Sequence, residues 1–232
     1  MISTAKVYYK INWWFTIFIA LASLHIITIA FNVEGLRFAT KPLLMPVLAM
    51  AVFINGPRHK RWLFIAALLF SFLGDSFLLI ENKQPLFFIF GLASFLITHI
   101  LYIIYFLGIP QANRSLLKTR PYIPLLIIFY GAMLVSLLYP SLGALKIPVI
   151  LYATIICLML ICSVHIYKSV DRDSGIQFIT GALLFVISDS LLAINKFYEP
   201  IPFAAFLIML TYCAAQFFIA RGFVKNSERH IL

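Results

Sequence analysis

Charge is what this chain has least of. Only 11% of its 232 residues are Asp, Glu, Lys or Arg, and just eight of them are acidic, while 63% are hydrophobic. A soluble globule of this length cannot cover its core with so little polar surface, so that class is excluded. Cysteine is nearly missing as well. Cys157, Cys162 and Cys213 each lie inside an apolar run, with neither disulfide nor metal-ligand spacing, and read as packing residues. Alternating polarity is absent, which removes a membrane β-barrel. A basic stripe interleaved with aromatics is absent too, so the net charge of +10 does not point to nucleic acid.

What is there is a series of apolar windows, each close to the roughly 20 residues that a bilayer-spanning helix needs. They predict eight helices at 11–31, 39–55, 62–80, 86–107, 122–139, 147–167, 176–194 and 201–221, broken at Asn55-Gly56-Pro57, Asn82–Pro85, Gly108-Ile109-Pro110, Pro140, Asp171–Gly175 and Glu199-Pro200. The fold class is therefore all-α: a polytopic integral membrane protein forming a single transmembrane domain over 1–232. The run from Ile11 to Phe31 is too long for a signal-peptide core, and no small-x-small cleavage site precedes Asn32, so it reads as a retained first helix. Thirteen Lys and Arg fall on one set of loops and termini. The other five (Arg37, Lys41, Lys83, Lys146 and Lys196) fall on the opposite set, which predicts both termini in the cytoplasm. Trp13 and Trp14 anchor the first helix, His25 reads as a hydrogen bonder facing the bundle, the fifth helix reads as scaffold, and Asp171, Arg172 and Asp173 read as solvated turn chemistry. The basic tail from Arg221 to His230 serves orientation.

Two carboxylates break the apolar pattern. Asp75 follows Phe70-Ser71-Phe72-Leu73-Gly74, and Asp189 follows Phe185-Val186-Ile187-Ser188. Each lies 13 residues into its predicted helix, about 20 Å along the axis. The pairing predicts a parallel-type internal repeat that brings both carboxyls to one depth. An intramembrane charge is costly and marks a functional position. Two carboxyls sharing an apolar pocket cannot both ionise cheaply, so they divide into an acid and a base. Ser71, Ser76, Ser188 and Ser190 are candidate hydroxyl partners. Lys41, in Thr40-Lys41-Pro42, is a candidate counter-ion for an aspartate or a phosphate, and Lys196 is a second cation seven residues beyond Asp189. Asn195 shares the face of Ser188. Gly91, Phe95 and His99 share one face of the fourth helix, with Tyr102 close by, and Tyr212 and Gln216 share one face of the last. Tyr152 on the sixth helix joins the candidate site.

In order and spacing these residues resemble the YhhN-like lysoplasmalogenase family of multi-pass membrane proteins, over about 38–220. The resemblance rests on Lys41-Pro42-Leu43, Leu69-Phe70-Ser71-Phe72-Leu73-Gly74-Asp75, Gly91 with Phe95, His99 and Tyr102, Leu151-Tyr152, Gly181-Ala182-Leu183-Leu184-Phe185, Ser188-Asp189, Asn195-Lys196-Phe197 and Leu210-Thr211-Tyr212 with Gln216. It implies hydrolysis of the vinyl ether bond of lysoplasmalogens to a fatty aldehyde and glycerophosphoethanolamine or glycerophosphocholine, and a location in a bacterial inner membrane. The aspartates then supply acid and base, with no metal or organic cofactor, and Lys41, Lys196, His99, Tyr152, Ser188, Asn195, Tyr212 and Gln216 contact substrate or orient the carboxyls. A proton-coupled transporter or flippase is the competing class, since it too would carry matched intramembrane acids.

Overall fold

The computed structural model describes residues 2–110 and 115–226, with side chains from Trp13 onward. The helices are α1 (Ile2–Ala30), α2 (Glu34–Asn55), α3 (Arg61–Leu79), α4 (Pro85–Leu107), the single turn α5 (Leu116–Thr119), α6 (Tyr122–Leu138), α7 (Lys146–His165), α8 (Arg172–Phe197) and α9 (Ala204–Asn226). There is no strand among the described residues. Eight of these helices are long and apolar enough to cross a membrane, matching the eight expected spans. Arg114 and the tail beyond Asn226, both used in the orientation argument, lie outside the described residues. In hydrocarbon a backbone amide has no water to bond, so a helix, which satisfies its own ladder, is the form an apolar run takes there.

Several boundaries differ from expectation, those of α2 and α8 for identifiable reasons. α2 begins at Glu34, where an anionic side chain suits the positive end of the helix dipole. Pro42 and Pro46 therefore lie inside α2, and neither has an N–H for the carbonyl one turn earlier. α8 begins at Arg172 because Asp171 caps it, its carboxylate accepting the Ser174 N–H at 2.9 Å, so this residue is a helix cap and not merely a solvated turn residue. The earlier start places Asp189 17 residues from the first residue of its helix, against 14 for Asp75, so the equal offset does not survive. α9 starts at Ala204 and runs on to Asn226.

The chain divides into two compact units, one made of residues up to Leu101 with the segment from Phe223, the other of Tyr102–Gly222. In the first unit, α3 and α4 meet at Gly74, where an added Cβ would lie 2.6 Å from the Phe95 ring, and at Gly91, where it would lie 2.8 Å from Leu78. Small residues are how membrane helices approach closely when burial of apolar surface drives nothing. Across the same contact the Ser71 and Thr98 hydroxyls lie 3.1 Å apart, and Thr98 donates to the Ala67 carbonyl at 3.0 Å. In the second unit, α8 meets α9 at Gly181, where a Cβ would stand 2.8 Å from the Ala215 carbonyl. Phe185 lies edge-on to Tyr212, with ring centroids 5.5 Å apart.

Gly74→Val is expected to destabilise the protein by about 1–3 kcal/mol, because the Phe95 ring has to leave its rotamer. Gly35→Ala, whose new methyl would meet nothing within 4 Å, is expected to leave the thermal midpoint in detergent unchanged or slightly raised. Comparing the two midpoints separates crowding at the α3–α4 contact from the general effect of losing a glycine.

Candidate functional site

Asp75 is 2% exposed on α3, and its Oδ1 lies 3.7 Å from Lys41 Nζ on α2. The ammonium thus neutralises a carboxylate where water cannot, as one of the two alternatives for Lys41 anticipated. One residue before it, the Thr40 hydroxyl donates to the Leu36 carbonyl at 2.7 Å and lies 2.7 Å from His25 Nδ1. With its proton committed to Leu36, Thr40 accepts, so His25 carries its proton on Nδ1. His25 is therefore a hydrogen bonder within the bundle. His99, fully buried on α4, lies one turn beyond Phe95 on the helix face that meets α3.

Asp189 is half-buried on α8, and its Oδ2 accepts a 2.5 Å hydrogen bond from the Tyr152 hydroxyl on α7. A bond this short between a phenol and a carboxylate is charge-assisted. Asp189, Tyr152, Tyr130 and Ser190 line a cavity of about 50 Å³ among α6, α7 and α8. Gly131, Val135, Ala153 and Cys157 line both this gap and a larger crevice of about 360 Å³ between α6 and α7, flanked by Ile128, Ile150 and Leu158. The apolar crevice and the cavity at Asp189 thus share a wall. Gly131 lets α6 and α7 approach closely at this shared wall: a Cβ there would stand 2.8 Å from Cys157 Sγ.

The other candidates are placed as follows. Tyr102 donates to Gln216 Oε1 at 2.7 Å, and both are fully buried. Tyr212 is buried against Phe185. The Asn195 side-chain oxygen accepts the Ile201 N–H at 3.0 Å and so holds the turn after α8, while Lys196 beside it is exposed. Ser76, Ser188 and Ser190 donate to the carbonyls of Phe72, Ile208 and Val186, so their protons go to helix backbone and not to the aspartates. Tyr130 was overlooked on a helix taken for scaffold. Its hydroxyl donates to Ser190 at 2.8 Å and ties α6 to α8. The available signal was a tyrosine in the middle of an apolar span, away from the interface where this residue ordinarily sits.

Eight spanning helices, two of which carry carboxylates partnered inside the apolar bundle, define a polytopic α-helical membrane protein with intramembrane acidic sites. The chain belongs to the YhhN family, whose profile matches residues 36–223. It is 34% identical over 165 residues to "Lysoplasmalogenase TMEM86A" of Bos taurus, covering 69% of this chain and 65% of that protein. It is 32% identical over 193 residues to "Lysoplasmalogenase TMEM86B" of Homo sapiens, covering 82% and 76% respectively. Identity to "Lysoplasmalogenase" of Mycobacterium bovis is 32% over 189 residues, covering 79% and 69%. The alignment thus spans just under two thirds of the bovine protein's length. No solved structure matches the chain.

Lys41→Met strands a buried carboxylate and is expected to destabilise the protein by about 3 kcal/mol or more. The double variant Lys41→Met/Asp75→Asn is expected to recover part of that loss. Thermal unfolding of these two variants and of Asp75→Asn alone, beside wild type, measures the coupling, and additive losses would mean that the 3.7 Å contact contributes nothing.

Proposed function

We propose that this protein is a membrane-embedded hydrolase that cleaves the vinyl ether bond of lysoplasmalogens, giving a fatty aldehyde and glycerophosphoethanolamine or glycerophosphocholine. What supports the reading is an apolar crevice that shares a wall with the cavity at a hydrogen-bonded carboxylate, in a chain whose relatives are named for this activity. A single-chain lipid has that polarity, with a hydrocarbon tail and the bond to be cut where the tail meets the polar end. Family membership and the relatives' names support the substrate class, and the chemistry of the two acidic sites supports the mechanism.

Vinyl ether hydrolysis starts with protonation of the alkene carbon furthest from oxygen. This turns the ether-bearing carbon into an oxocarbenium ion. Water adds to that carbon and loses a proton, and the hemiacetal collapses, returning the electrons of the C–O bond to the glycerol oxygen as it takes up a proton. The step needs an acid, then an anion to stabilise the cation and accept a proton from water. Asp189 and Asp75 are the candidates for these two roles, which carboxyl groups also fill at glycosidic bonds. Tyr152 orients the carboxyl group of Asp189, and Lys41 lies beside that of Asp75. His99, Tyr212 and Gln216 shape the polar interior, and Lys196 and Asn195 lie at the α8 end. The skewed distribution of Lys and Arg supports cytoplasmic termini, and the mycobacterial relative supports a bacterial plasma membrane.

Asp75→Asn and Asp189→Asn, each still folded by thermal melting, are expected to release aldehyde from a lysoplasmalogen at least about 100-fold more slowly than wild type. Tyr152→Phe should lose less, since the carboxylate remains. Fatty acid released from an acyl lysophospholipid instead of aldehyde from the alkenyl lipid would refute the ether-hydrolase reading. Lysolipid movement across liposomes without any cleavage would assign the protein to transport.

A further inference from the structure

The first unit contains a polar cavity that the chemistry above leaves unused. It has a volume of about 230 Å³ and is lined by Glu34, Arg37, Phe38, Leu79, Ile80, Asn82 and Lys83, where the first turns of α2 meet the end of α3. We propose that it is a headgroup site for a zwitterionic lysophospholipid, in which Arg37 and Lys83 take the phosphate while Glu34 and the Phe38 ring take the ammonium. This inference rests on the lysoplasmalogen reading and names how that substrate is held.

Opposite charges line one small cavity without neutralising each other. No ion pair joins Glu34, Arg37 or Lys83 to another described residue, and Arg37 Nε is buried with no hydrogen-bond partner among the described residues. A buried guanidinium N–H left open is costly unless something fills it. A simple anion would be repelled by Glu34, and a simple cation by Arg37 and Lys83. A molecule with a phosphate and an ammonium a few bonds apart satisfies all three. The guanidinium fork suits phosphate oxygens, and an aromatic face suits an alkylammonium.

Position makes the same assignment. The cavity sits at the ends of two spans, the depth at which headgroups lie. Arg37 is four residues before Lys41 on α2, and Leu79 is four residues after Asp75 on α3, so the cavity lies one turn, about 5–6 Å, from the Lys41–Asp75 pair along both helices.

The test reads binding without turnover, using acyl lysolipids and the purified chain in nonionic detergent. The shift of the thermal midpoint is titrated with lysophosphatidylethanolamine, with lysophosphatidic acid, which lacks the ammonium, and with inorganic phosphate. Arg37→Gln and Lys83→Gln are each expected to weaken both lipids about tenfold, and Arg37→Lys to recover part of the loss. Glu34→Gln is expected to weaken lysophosphatidylethanolamine while leaving lysophosphatidic acid unchanged or tighter. Lys146→Gln, whose ammonium lies over the Tyr139 ring, is the charge control. The proposal is overturned if Glu34→Gln weakens both lipids alike, if Arg37→Gln and Lys83→Gln bind as wild type does, or if inorganic phosphate shifts the midpoint as far as the lipid, which would mark a free-anion site. A protein that binds in this charge-dependent way yet releases no aldehyde would refute the hydrolase reading and leave the headgroup site standing. Aldehyde release unaffected by all three substitutions would do the reverse.

Discussion

An ionised group in hydrocarbon has to bring its neutralising partner with it, and the Lys41–Asp75 pair is where this chain meets that demand. Much of the first unit depends on it. α2 must reach past Lys41 to Glu34 without a break, although two prolines weaken its ladder, and α3 must stay helical through Gly74-Asp75-Ser76 so that the carboxylate keeps its direction. The glycine before the aspartate lets Phe95 close over that stretch of α3, which leaves Asp75 almost fully enclosed.

The second unit also holds an aspartate on a helix, with different chemistry. In both, the aspartate sits on a helix packed against the preceding one, and that preceding helix supplies the partner: α2 for α3, α7 for α8. An ammonium serves the enclosed carboxylate and a phenol serves the half-buried one. The difference matters, because a phenol holds an anion without cancelling its charge. Asp189 thus has a neutral partner beside its cavity, whereas Asp75 faces a cation.

The eight spans were legible because apolar runs of bilayer length, punctuated by Gly, Pro and Asn, leave a membrane chain few alternatives. So were the two aspartates, since no other acidic residue falls in those runs. The partners were harder to read. Lys41 was recognised as a counter-ion only as one of two options, because helix contact is not written in a single sequence. Ser76 and Ser190 were hard to read because a hydroxyl in a helix can bond the carbonyl one turn back, as both do. Arg37 went unremarked except as a topological charge, since its place in a cavity depends on where α2 begins. That start was put five residues late, at a boundary with no side-chain cap to mark it.

The crevice between α6 and α7 is flanked by side chains such as Ile128 and Leu158 that remain exposed on spanning helices. An occupant entering between those side chains would arrive and depart sideways, within the plane of the bilayer and not through water. For such a site the concentration that governs occupancy is a mole fraction among neighbouring lipids. Diluting the membrane with inert lipid would lower occupancy even with protein and ligand amounts held constant, whereas adding buffer would not.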